Sequence, residues 1–186
     1  MLAFLSAFLL LPFHVPTPRP HAVDKAHSEI NFVAEARFLS AHGFFGTWDA
    51  EVMLDRENMS ASTIKITIDS KSINTRNDRR DAHLKSNDFF ATDSFPTITF
   101  VSKKIEPTGD KAYLMTGDLT LRGRTKEVKV PIKEIFYEPS ATGARGRWKG
   151  AFSLKRMEYG VSYQSRLNPI EDEIQIPWEL SLIEKP

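Results

Sequence analysis

The sequence predicts an all-β, antiparallel fold, a barrel or a sandwich, on three observations. Apolar and polar residues alternate with a period of two through most of the chain after Ser28. About eight such runs occur, each with one apolar face and short connections between them. No run alternates with a helix-length segment, which removes the parallel sheets that depend on crossover helices.

The first run places Ile30, Phe32, Ala34, Ala36 and Phe38 on one face, with Glu29, Asn31, Glu35 and Arg37 on the other. It is long for one strand, so a bent barrel strand is expected. His42, Gly43, Phe44, Phe45 and Gly46 then read as a break, the glycines permitting a turn or bulge. Trp48, Ala50, Val52 and Leu54 alternate with Asp49, Glu51, Met53 and Asp55, and after a polar turn Ile64, Ile66 and Ile68 face inward.

Alternation stops at Asn74 and resumes at Ile98 and Phe100. The interval predicts a short helix with Asn77 as N-cap, Asp78 and Asp81 near its positive end and Lys85 near its negative end. Asp81 and Lys85 also stand four apart in the favourable order. Ser86, Asn87 and Asp88 end the helix, and Phe89 and Phe90 follow. These phenylalanines read either as part of a ligand portal or as a plug that seats the helix. The plug is favoured, because adjacent side chains seldom face one cavity.

Beyond the insert, apolar faces are formed by Tyr113, Met115, Gly117, Leu119 and Leu121, then Val128, Val130 and Ile132, then Trp148, Gly150, Phe152 and Leu154. The last run holds Ile174, Ile176, Trp178, Leu180 and Leu182. Pro177 donates no ladder hydrogen bond, so this strand is expected at a sheet edge or bulged there. Such an edge would offer a route to a homodimer.

The 186 residues suit one domain with a sizeable core. With 25 Lys and Arg against 24 Asp and Glu, the chain has no overall basic excess to draw it to nucleic acid or to anionic lipid headgroups. Absence of cysteine removes disulfides, thiol nucleophiles and thiolate metal sites. The segment MLAFLSAFLLL is too short to span a bilayer but suits a signal-peptide core, although no Lys or Arg precedes Arg19. Residues 1–22 are therefore expected to be a signal peptide with Ala22 before the cut. Residues 23–186 would form the mature domain, periplasmic or secreted, without stable membrane insertion.

Arg79, Arg80, Asp81 and His83 resemble a catalytic cluster in type, but a general base needs a partner within reach and a shielded site. A solvated face, or Arg80 and Asp81 anchoring the helix, is the expected role, and no catalytic residue is assigned. His83 with Asp81 or Asp88 lacks the spacing of a helical ligand pair, so no metal is expected. His42 reads as a turn or rim residue. Lys155, Arg156, Ser165 and Arg166 read as loop-solvating groups, with head-group contact as the alternative. Asn58, Met59 and Ser60 form a glycosylation sequon, relevant only in a host that reads it.

Two motifs carry a family resemblance. The stretch RDAHLKSNDFF, followed closely by FPTITF, and the later TGDLTLRGRTKEV are similar to the YceI-like family of exported lipid-binding proteins. Weaker agreement covers the opening strand from Asp24 to Phe32 and the closing Tyr159, Gly160 and Val161. The resemblance spans residues 24–182, departing at 42–46 and 162–173. It implies an extended eight-stranded antiparallel β-barrel, lipocalin-like, with a short helical insert. It also implies export, and an isoprenoid or other long apolar chain in the interior.

The residues alone leave a filled core and a cavity equally open, because an eight-stranded barrel accommodates either; the resemblance favours the cavity. Small Ala34, Ala36, Ala50, Gly117 and Gly150 among bulky neighbours would leave room. The expected lining is Phe32, Phe38, Trp48, Ile66, Phe89, Phe90, Phe100, Met115, Leu119, Trp148, Phe152 and Trp178. The leading expectation is non-enzymatic binding, sequestration or transport of a polyisoprenoid, isoprenoid quinone or similar lipid, with no cofactor. Alternatives are a filled barrel acting as an exported interaction or stress-response module, and an enzyme on a lipid-like substrate. The last would need His42 or His83 to face the cavity beside a carboxylate.

Overall fold

The computed structural model describes residues 17–141 and 143–185. Eleven strand segments join in one sheet that closes on itself. In chain order they are β1 (Arg19–Val23), β2 (Glu29–Ala36), β3 (Leu39–Phe45), β4 (Trp48–Leu54), β5 (Thr63–Asp69) and β6 (Ile73–Asn74). After the helix α1 (Asp78–Lys85) come β7 (Thr97–Gly109), β8 (Ala112–Leu121), β9 (Arg124–Glu138), β10 (Arg145–Lys155) and β11 (Ile170–Glu184).

The segments reduce to an eight-stranded antiparallel barrel because the first three strands are each bent into two halves. Thus β11 pairs with β1 through Leu182 and Val23, and with β2 through Trp178 and Ile30. Likewise β3 pairs with β2 and β6, while β4 pairs with β1 and β5. The bends are built from local hydrogen bonds. Asp24 caps a single helical turn at Lys25–His27, accepting from the Ala26 N–H, and Asp69 caps another at Ser70–Ser72, accepting from the Lys71 N–H. Between them, the Gly46 N–H donates to the Ser72 carbonyl and the Asp69 N–H to the Thr47 carbonyl. Adjacent strands therefore turn at one level, and the ladder survives the bend.

Three expectations about the strands are corrected. First, β11 has β10 on one side and β1 and β2 on the other, so Pro177 lies in an interior strand rather than at an edge. In an antiparallel ladder each N–H points to one neighbour only, so Pro177 costs one hydrogen bond and not the pairing. The edge route to a homodimer is absent. Second, the chain turns at Arg37 and Phe38, and residues 42–45 are strand. Gly43 is there for space: a Cβ would lie 2.2 Å from Cζ of Phe32, whose ring covers it. Third, a strand absent from the sequence reading, β1 at Arg19–Val23, bridges β4 and β11. The segment MLAFLSAFLLL lies outside the described residues.

Leu54, Ile105, Met115, Ile132, Trp148 and Leu182 are all buried and face the barrel interior. A polar network lies beyond them, reaching Trp148 through the Tyr137 ring. The Nδ1–H of buried His21 donates to the Arg19 carbonyl, and its Nε2 lies 3.2 Å from the Tyr137 hydroxyl. That hydroxyl donates to Glu184, which also accepts from Arg19. Arg56 covers the Tyr137 ring and holds Glu134, buried, through both carboxylate oxygens.

Burial pushes the His21 imidazole below its ordinary value of 6.5. The unfolded chain then takes up a proton before the folded protein does, so stability falls as pH drops below about 6.5. Glu184 is held below its ordinary range by the hydrogen bond from Arg19, so its contribution is lost only at lower pH, as its folded value is crossed. Thermal melts between about pH 7 and about pH 5 should show a loss in the wild type that is smaller in His21→Asn.

Candidate functional site

The interior is not filled. A cavity of about 370 Å³ runs within the barrel, walled by inward residues of nearly every strand. Ala34 and Ala41 face each other across β2 and β3, and Ala36 stands nearby; their small side chains leave the space that Phe32, Phe100 and Phe152 border. Indoles apart, every polar side chain on the wall comes from α1 or from residues 156–168: Arg80, His83, Arg156, Tyr163, Ser165 and Asn168. The cavity is apolar with a polar end.

The helix is fixed across that end by the residues that looked catalytic. Asn77 caps it, accepting from the Arg80 N–H. Asp81 is buried and accepts from the N–H and hydroxyl of Thr75 rather than reaching Lys85. Arg80 donates to the Thr75 hydroxyl and carbonyl. These bonds place Leu84 on the cavity wall. The chain then folds back, with the Phe90 N–H donating to the Leu84 carbonyl. Arg122 holds the return by donating to the carbonyls of Asn87, Phe89 and Gly160.

Phe89 and Phe90 both border the cavity, against the expectation that adjacent residues would diverge. The segment is a turn, not a strand, so alternation does not apply. Phe89, His83 and Tyr163 form an aromatic collar with ring centroids 4.8–5.0 Å apart. His83 Nε2 lies 2.9 Å from Asp88 Oδ2, the pairing an enzymatic reading requires. Their side chains are 42% and 56% exposed, however, so the pair lacks the shielding a tuned base needs. His42 is exposed on β3 and does not border the cavity.

Next to the collar, buried Arg156 organises residues 161–171. Its Nε donates to the Glu171 carbonyl, Nη1 to those of Val161 and Tyr163, and Nη2 to that of Ile170. Burial lowers its pKa. The reading of Arg156 as a loop-solvating group is corrected: the side chain is buried and braces the loop from within through backbone carbonyls.

Ten of the twelve expected lining residues border the cavity: Phe32, Ile66, Phe89, Phe90, Phe100, Met115, Leu119, Trp148, Phe152 and Trp178. Phe38 and Trp48 do not. Phe38 sits in the β2–β3 turn, where alternation has ended, and is 70% exposed. Trp48 has the right parity but is the first residue of β4, next to the bend at residues 46–47, with Lys25 Nζ 3.6 Å from its ring centroid. Leu84, Tyr163 and Asn168 are wall residues that the sequence reading missed, because a short helix and irregular segments carry no strand-period signal. Among the described residues no group of side chains could hold a metal ion, and no helix is long and apolar enough to cross a membrane.

A UPF0312 protein of Pseudomonas aeruginosa is 32% identical over 160 residues, covering 84% of this chain and 82% of its own. A second, from Vibrio vulnificus, is 28% identical and covers 92% of this chain and 93% of its own. Among solved structures, BcnA of Burkholderia cenocepacia superposes with a TM-score of 0.77 at 27% identity, covering 86% of this chain and 98% of that one. A polyisoprenoid binding domain from Saccharophagus degradans, at 17% identity and a TM-score of 0.65, covers 90% and 99% and shows the same fold. The model of the YceI-like domain matches residues 21–182, nearly the whole barrel, and the chain belongs to that family.

Proposed function

We propose that the protein binds a long-chain lipid, a polyisoprenoid, an isoprenoid quinone or a similar molecule, inside the barrel and carries or sequesters it without chemical change. The observation that carries this reading is the apolar cavity whose polar side chains, two indoles apart, are confined to one end. Such a space suits an extended hydrocarbon tail with a small polar head. Each buried methylene contributes about 0.8 kcal/mol, so few polar contacts are needed for tight binding. Family membership supports the reading, as does the description of the Saccharophagus degradans domain as polyisoprenoid-binding.

Export is part of the same proposal. An aqueous compartment next to a membrane is where a soluble lipid carrier is useful, and the apolar N-terminal segment fits a signal core. Cleavage would fall before Arg19, since β1 belongs to the barrel.

Purified protein should bind N-phenyl-1-naphthylamine saturably, with displacement by a polyprenol. No saturable binding by folded protein would refute the reading. His83→Phe should leave probe binding unchanged, because it keeps the collar's aromatic contacts and removes only the titratable nitrogens. Loss of binding in that variant would return His83 to a direct chemical role.

A further inference from the structure

We infer that the polar end of the barrel, where α1 and residues 156–168 meet the cavity, docks on an anionic lipid bilayer through an apolar and cationic rim; this inference rests on the carrier reading. The rim is made of two segments, the β2–β3 turn and residues 164–169. They are joined where the Arg37 N–H donates to the Pro169 carbonyl and the Phe38 N–H to Asn168 Oδ1. Phe38 is 70% exposed, Leu39 50% and Leu167 78%. Phe38 and Leu167 are the two most exposed large apolar side chains among the described residues.

The patch is continuous with the cavity. Leu39 belongs to both, and Asn168, which receives the Phe38 N–H, is itself on the wall. The charges complement an anionic surface. Arg37 lies over the Phe38 ring and Arg166 precedes Leu167, while neither segment contains an acidic residue. Two acids stand two residues outside these segments: Glu35, which accepts from the Ser40 hydroxyl, and exposed Glu171. Apolar tips flanked by arginines are the chemistry of an interfacial anchor, which inserts side chains at the headgroup level while the cations meet anionic lipid. A second copy of the chain would not explain why the cations gather on this patch or why it borders the cavity. A bilayer explains both, since docking there lets a tail pass from membrane to cavity without crossing water.

The test uses sedimentation with vesicles of phosphatidylcholine containing phosphatidylglycerol, and with phosphatidylcholine alone. The wild type should co-sediment with the anionic vesicles. The double variant Phe38→Ser/Leu167→Ser should lose at least about tenfold in partitioning while keeping its melting temperature and its naphthylamine binding. Arg37→Gln/Arg166→Gln should lose binding to anionic vesicles, and added salt should weaken the wild type in the same way. Absence of vesicle binding by a wild type that still binds the naphthylamine would overturn the docking inference and leave the carrier reading standing. So would vesicle binding indifferent to Phe38 and Leu167, or a concentration-dependent dimer that Phe38→Ser/Leu167→Ser abolishes. Vesicle binding by a protein that takes no naphthylamine would instead defeat the carrier reading on which the inference rests.

Discussion

The double variant Ala34→Trp/Ala41→Trp is expected to lose lipid binding while remaining folded. These alanines face each other across β2 and β3 and both border the cavity, so two indoles there occupy the volume a lipid tail would need. Excluding about four methylenes costs about 3 kcal/mol, a loss in affinity on the order of a hundredfold. Overpacking a filled core costs roughly 1–3 kcal/mol per site. Here the space exists, so thermal stability should hold or rise. Lys65→Trp is a control, because Lys65 pairs with Glu51 in the exposed row of β5 and β4. Retained lipid affinity in the folded double variant would show that the ligand sits elsewhere.

Arg156→Leu should produce the largest loss of stability and loosen the polar end of the cavity as well. The guanidinium satisfies four backbone carbonyls, three of them, at Val161, Tyr163 and Ile170, belonging to residues on the cavity wall. A hydrogen bond to a charged group contributes roughly 1.5–3 kcal/mol, and leaving a buried acceptor unpaired costs about 1–3 kcal/mol. These terms are not additive; a net loss of about 3–5 kcal/mol is expected, lowering the midpoint by roughly 6–20 °C for a chain of this size. Arg156→Lys should recover little, because an ammonium cannot reproduce the planar fork that meets several carbonyls at once. Differential scanning calorimetry measures the first effect. Faster release of bound naphthylamine from whatever fraction stays folded measures the second.

The fold was legible where local chemistry and global architecture agree. Inward rows such as Met115, Leu119 and Leu121 on β8 repeat with the strand period, and the helix announced itself through Asn77. Legibility failed where a residue's level along the barrel matters more than its parity. Counting by twos carried Phe38 past the turn into an imagined interior, and it placed Trp48 on the correct face but next to a bend. Pro18 and Pro20 disguised β1, which pairs on both sides all the same. Gly43 suggested a turn, whereas its role is to admit the Phe32 ring. The polar end was least visible. Arg156 acts through carbonyls distant in sequence, and nothing in the pattern of residue types marks which cation will find them.

Ligand occupancy is the central claim, and it is tested most directly by native mass spectrometry of protein purified without detergent, followed by organic extraction and lipid analysis. The expected result is a population carrying one hydrophobic ligand per chain, released by solvent and identified as a polyisoprenoid, an isoprenoid quinone or a comparable long-chain lipid. Folded protein that carries no lipid and takes none up from a polyprenol suspension would contradict it.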